Sequence, residues 1–62
     1  MSQTTTIITG PDAGMKFYGA GSLRAARALA KNRGRRFILK FTINGTTTYS
    51  VWNADGTTLA TY

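Results

Sequence analysis

The residues of this chain that are best suited to chemistry are cations, and most of them fall within one short interval. Eight Lys and Arg against two Asp, with no Glu and no His, give a net charge of +6 over 62 residues. Lys and Arg neutralise phosphates, and aromatic rings stack on exposed bases. This composition favours a polyanion or an acidic protein surface as the partner. The candidate contact residues are seven cations and one indole: Arg24, Arg27, Lys31, Arg33, Arg35, Arg36, Lys40 and Trp52.

The chain lacks the residue types on which most catalytic and metal sites depend. Without Cys or His it has no thiol nucleophile, imidazole base, disulfide or Cys/His metal site. Its two side-chain carboxylates, Asp12 and Asp55, lie in Gly-containing turn sequences that do not favour a paired acid and base. We therefore expect a non-enzymatic protein with no catalytic residue, no metal and no cofactor.

Length and hydropathy restrict the location and the size of the fold. No apolar stretch is long enough to span a membrane, and the N-terminus (MSQT) lacks the basic start and apolar run of a signal peptide. We expect a cytoplasmic protein that does not enter membranes, encoded as a complete small gene product of the phage or plasmid accessory type. Residues 1–62 are expected to form a single domain, and a homodimer is one way to stabilise so small a core.

Strand-forming and turn-forming residues predict the order β-β-α for the first half. Residues 4–9 are rich in β-branched side chains, and residues 15–18 form a second short strand after a Gly/Pro turn. Ser22 is a suitable N-cap for a helix over residues 23–33, and Gly34 follows where a left-handed residue is favoured. The pair Gly19 and Gly21 before this helix is a weak candidate for a phosphate cradle.

The predicted helix has two distinct sides. At 100° per residue, Arg24, Arg27 and Lys31 fall within one narrow stripe. The neighbouring side carries the residues expected to pack on a sheet, which are Leu23, Ala26, Leu29 and Ala30.

The second half of the chain predicts a three-stranded meander. A period of two begins at Arg35, and turn signals at Asn44-Gly45 and Asp55-Gly56 separate three strands. The expected fold class is therefore α+β, with one helix packed on a small antiparallel sheet in the order β-β-α-β-β-β.

Two registers are open for the Asn44-Gly45 hairpin. A two-residue loop places Phe37 opposite Trp52 and mixes polar and apolar residues on both faces. A three-residue loop places Phe37 opposite Val51 and gives one clean apolar face, so we favour it. This register predicts a core that comprises Phe37, Leu39, Phe41, Tyr49, Val51 and Leu59, with Ile7 or Ile8 and Phe17. The outward face then comprises Arg36, Ile38, Lys40, Thr42, Thr46, Thr48, Ser50, Trp52, Thr58, Ala60 and Tyr62. In the other register, Trp52 covers the core.

The favoured interpretation is a binding protein that engages the DNA or RNA backbone through a basic helix and sheet surface, with Trp52 as an aromatic contact. The alternative is an accessory protein that inhibits or redirects a larger host protein. In that case the outward face, or an edge strand near residues 59–62, makes the contact.

Overall fold

A computed structural model describes residues 3–62 of the chain. They form one helix and five strands: β1 (Gln3–Ile7), β2 (Lys16–Tyr18), α1 (Ser22–Lys31), β3 (Phe37–Ile43), β4 (Thr46–Trp52) and β5 (Thr58–Thr61). The strands make one antiparallel sheet in the order β2-β1-β3-β4-β5. This confirms the predicted α+β class and the C-terminal meander. The first two residues, on which part of the signal-peptide argument depends, lie outside the described range.

The helix has the predicted position but different ends. It begins at Ser22, and Gly21 occupies the N-cap with φ 90° and no side-chain cap. The Ser22 hydroxyl is buried and shares a 2.9 Å hydrogen bond with the Thr5 hydroxyl, so it does not cap the helix. The helix ends at Lys31, before the predicted boundary. Gly34 has φ 69°, which is the left-handed conformation that its position predicts.

The register favoured for the β3–β4 hairpin is wrong. Phe37 lies opposite Trp52 and Leu39 lies opposite Ser50, which is the two-residue register. Asn44 has φ 51° and Gly45 has φ 80°, and two consecutive positive φ angles are the requirement of a type I′ loop. A shift of one residue moves every side chain of a strand to the other face of the sheet. The predicted outward and inward sets of β4 are therefore exchanged.

The reach of the helix explains why the clean-face argument failed. Ten residues make a helix about 15 Å long. It packs on β1, β2 and β3, and no close backbone approach joins it to β4 or β5. Polar residues on the helix side of β4 are therefore tolerated: Thr46 is exposed and Thr48 is half-buried there, whereas Ser50 is buried.

The second turn has the expected three-residue loop, but a bulge follows it. The amide of Asn53 donates to the carbonyl of Thr57 at 2.8 Å, which closes the loop over residues 54–56. The register then shifts next to Val51, which pairs with Ala60 instead of the predicted Leu59. Leu59 is 51% exposed and does not belong to the core.

The core lies between α1 and the helix side of the sheet. Its buried apolar members are Ile7, Ala26, Ala30, Phe37, Leu39 and Trp52, with Phe17, Leu23 and Leu29 packed around them. Predicted core members Tyr49 and Val51 lie on the open side, whereas Phe41 is half-buried on the helix side. Among the described residues, no helix has the length and apolarity needed to cross a membrane.

Candidate functional site

The three cations of α1 are exposed, as the helical periodicity predicts. Arg24, Arg27 and Lys31 lie away from the buried alanines Ala26 and Ala30 that face the sheet. Seven residues of α-helix rise about 10 Å, so the three side chains span about two turns.

Arg27 also has a structural contact. Its guanidinium carbon lies 5.5 Å from the centre of the Trp52 ring. On the sheet, that ring lies nearly parallel to Phe37 at a centroid distance of 6.0 Å. Trp52 is 8% exposed, so it does not present an open ring to a base, and its predicted outward position is wrong. The reason is the register of the β3–β4 hairpin, which turns the indole toward the helix side.

Lys31 reaches the turn between β4 and β5. Its Cδ lies 3.2 Å from the point that a Cβ on Gly56 would occupy. In the same turn, Asp55 accepts hydrogen bonds from the hydroxyl and amide of Thr57 at 2.7 and 2.9 Å. These two bonds, with a smaller contribution from the charge of Lys31, lower the pKa of Asp55 below its ordinary value.

Arg33 is engaged within the molecule. Its Nε and Nη2 donate to the two carboxylate oxygens of Asp12 at 2.6 and 2.9 Å, a bidentate pair that joins the 8–15 loop to the end of the helix. The hydrogen bonds lower the pKa of Asp12 and raise the pKa of Arg33. Arg33 is therefore the least available of the predicted contact residues.

Arg35 and Arg36 are exposed in the loop between α1 and β3. Both border a shallow cleft whose other wall includes Thr9 and Pro11. Within residues 3–62, neither arginine makes a hydrogen bond, ion pair or ring contact, and the same holds for Arg24. We call the exposed cations of α1 and this loop the basic helix–loop, which comprises Arg24, Arg27, Lys31, Arg35 and Arg36.

Lys40 is not part of this surface. It pairs with Thr6 on β1 and Tyr49 on β4, and it alternates with the buried Leu39, so it lies on the side of the sheet away from α1. The structure therefore divides the predicted single surface into two, on opposite sides of the sheet.

The open side of the sheet carries three exposed tyrosines that are not among the predicted contact residues. Tyr18, Tyr49 and Tyr62 are 73%, 42% and 78% exposed. The outward position predicted for Tyr62 is confirmed, because Tyr62 pairs with Tyr49 on this side, whereas the core position predicted for Tyr49 is wrong. The Asn-Gly pair was the signal that favoured the correct register.

The glycine loop before α1 gives no support to a phosphate cradle. The amide of Gly19 donates to the carbonyl of Gln3 at 2.8 Å, and the amide of Ser22 donates to the carbonyl of Gly19 at 3.0 Å. These amides are satisfied within the chain.

The chain matches no protein-family model, no curated protein and no solved structure.

Proposed function

We propose that this protein is a non-enzymatic nucleic-acid-binding protein that contacts the sugar–phosphate backbone through the basic helix–loop. The observation that carries the proposal is the set of three exposed arginines that have no partner among residues 3–62, which are Arg24, Arg35 and Arg36. Both aspartates are engaged elsewhere, Asp12 with Arg33 and Asp55 with Thr57. Apart from Lys31, whose charge acts on Asp55, the cations of the basic helix–loop have no carboxylate partner among the described residues.

The geometry favours backbone contacts over base readout. All five contact residues are Lys or Arg on an exposed helix face and loop, and phosphate contacts by such side chains position a protein without reading sequence. Arg27 and Lys31 have structural contacts as well, so Arg35 and Arg36 are the best residues to test. Binding through phosphates releases counterions and weakens as salt rises.

The test is a fluorescence anisotropy titration of a labelled DNA duplex at several salt concentrations. We expect Arg35→Ala/Arg36→Ala to weaken binding and to reduce the slope of log affinity against log salt by about 2. The matched control is Lys16→Ala/Lys40→Ala, which removes the same charge from the opposite side of the sheet. The control should retain most of the salt slope. Absence of duplex binding at low salt, or equal losses in both double variants, would reject this interface.

A second candidate function is docking on a larger protein by strand addition. The observation that favours it is β5, an edge strand that pairs only with β4 and carries Leu59 at 51% exposure. The test is a pull-down from a nuclease-treated lysate, in which this candidate requires recovery of one protein in stoichiometric amount. Leu59→Asp should abolish this recovery, and the control Tyr18→Ser, at the other edge of the sheet, should retain it. Recovery unaffected by Leu59→Asp would exclude docking at this edge.

A further inference from the structure

The open side of the sheet brings the three tyrosines of the chain together with two lysines. Strand pairing aligns Lys16, Thr6, Lys40 and Tyr49 in one row across four strands. Tyr62 completes the row, because it exchanges two backbone hydrogen bonds with Tyr49, at 3.1 and 2.7 Å. Four inter-strand gaps of about 4.8 Å make this row about 19 Å long.

The remaining tyrosine flanks this row. Tyr18 lies two residues beyond Lys16 on β2, so it belongs to the same side of the sheet, opposite Thr4. We call this surface the tyrosine face, and it comprises Lys16, Tyr18, Lys40, Tyr49 and Tyr62. Threonine hydroxyls lie between these side chains, and Thr42 and Thr47 share a 3.1 Å hydrogen bond there.

The side-chain charge on the tyrosine face has a single sign. Lys16 and Lys40 make no ion pair within residues 3–62, and both aspartates lie in loops where other groups engage them. Tyr18 and Tyr49 lie on paired strands, and two backbone hydrogen bonds to Tyr49 hold Tyr62, so presenting these residues to a ligand costs little backbone entropy. Exposed aromatics beside unpaired cations match a ligand that has both flat rings and negative charge.

We propose that the tyrosine face binds single-stranded nucleic acid, with bases stacked on Tyr18, Tyr49 and Tyr62 and phosphates held by Lys16 and Lys40. Every base has a π-face, so such stacking tolerates any sequence. In a duplex, the bases are already stacked on each other, and the rings have no free face to contact. This site goes beyond the proposed backbone contact, because it lies on the opposite side of the sheet from the basic helix–loop.

The same charges argue against a second copy of this chain as the occupant. Lys40 lies near the middle of the face, between Thr6 and Tyr49. A symmetric dimer through this face would bring the same two lysines of each copy into a buried, like-charged contact, which is costly without compensating carboxylates.

The test compares a labelled single-stranded oligonucleotide with a duplex, using three double variants of the full chain. We expect Tyr49→Ala/Tyr62→Ala to weaken single-strand binding by about 5- to 150-fold per ring, and to leave duplex binding within about twofold. Tyr49→Phe/Tyr62→Phe keeps both rings and should restore single-strand affinity. Arg35→Ala/Arg36→Ala should show the reverse pattern, with the larger loss for duplex.

Amide chemical shifts of the unmodified protein provide a measurement that does not depend on the variants folding. Addition of the single strand should shift the amides of β3, β4 and β5 around Lys40, Tyr49 and Tyr62. Shifts confined to Arg35, Arg36 and α1, or equal losses for the Ala and Phe variants, would overturn the tyrosine face and leave the basic helix–loop intact. If the unmodified protein binds the single strand but not the duplex, the proposed backbone contact of the basic helix–loop is rejected and the tyrosine face is retained. Concentration-dependent dimerisation through Tyr49 and Tyr62 without single-strand binding would also overturn this inference.

Discussion

The buried hydroxyl pair of Thr5 and Ser22 joins the start of α1 to the centre of the sheet. Thr5 is 0% exposed and Ser22 is 3% exposed, and their oxygens are 2.9 Å apart. Removing one partner leaves the other hydroxyl without this bond in a dry site, so we expect Ser22→Ala to cost about 1–3 kcal/mol of unfolding free energy. Chemical denaturation measures this loss.

The corresponding control is the double variant Thr5→Val/Ser22→Ala. Because it removes both polar partners and keeps the shapes similar, its stability should be higher than the sum of the single losses predicts. Strict additivity in this cycle would mean that the hydroxyl pair contributes no coupling energy.

Trp52 combines good packing with an unsatisfied donor. Its ring is covered by Arg27 and stacks with Phe37, but its indole Nε1 is buried and has no acceptor among the described residues. We expect Trp52→Ala to cost about 3–5 kcal/mol, enough to unfold most of a chain of this size. Trp52→Phe keeps an aromatic ring and removes the unsatisfied N–H, so its cost should not exceed about 1 kcal/mol. A large loss in thermal stability for Trp52→Phe would contradict this account.

The ion pair of Asp12 and Arg33 makes stability depend on pH at the acidic end. The pKa of Asp12 is lower in the folded chain than its ordinary value, mainly because of the hydrogen bonds from Arg33. The folded state therefore gains stability from the ionised carboxylate above the ordinary carboxyl pKa and loses it as the pH falls through the lowered value. We expect Asp12→Asn to lower the melting temperature at neutral pH and to match the parent protein in strong acid.

Arg33→Ala tests the same pair from the other side and should reproduce the neutral-pH loss. A melting-temperature difference between Asp12→Asn and the parent that stays constant across the acid range would show that the charge of Asp12 is not responsible.

At the scale of elements, the order of the helix and strands was predicted correctly from the sequence, but the register chosen for the β3–β4 hairpin was wrong. The stripe of Arg24, Arg27 and Lys31 follows from helical periodicity, because a single element determines it. The facing of Trp52 follows from the hairpin register, which the Asn44-Gly45 pair indicates and which the preference for one clean apolar face overruled. The bulge beside Val51 likewise depends on strand pairing in the folded chain. For these reasons the cations of the helix were identified, whereas only Lys40 and Tyr62 of the tyrosine face were placed on the outward side.

The Asn44-Gly45 loop fixes which side chains occupy each face. Gly45 has φ 80° with open space where a Cβ would lie, so only backbone conformation opposes a side chain there. We expect Gly45→Ala to cost about 1–2 kcal/mol, measured by chemical denaturation. The control is Thr46→Ala at a neighbouring exposed position, which should change the unfolding free energy by no more than about 0.5 kcal/mol. Equal effects at the two positions would contradict the assigned turn.

At the scale of the whole molecule, the positive charge faces two ways. The helix α1, with Arg24, Arg27 and Lys31, lies on one side of the sheet, and Lys16 and Lys40 lie on the other. The sequence shows that the net charge is positive and that most cations lie between residues 24 and 40, but it did not predict that they would be divided between the two sides of the sheet. The division follows from the alternation of side chains along β3: Leu39 faces the helix, so the adjacent Lys40 faces the open side.

The sheet order also has a consequence for assembly of the chain. β1 is inserted between β2 and β3, and the residues that it pairs with on β3 are roughly 30 to 40 positions away in sequence. The β3–β4 hairpin closes over only two residues and can form early. Until β1 arrives, β3 is an unpaired edge that can also accept the same strand from a neighbouring molecule when the protein is concentrated. When the protein is refolded at high concentration, we therefore expect β1 and β2 to exchange between chains. This exchange would compete with folding of a single chain.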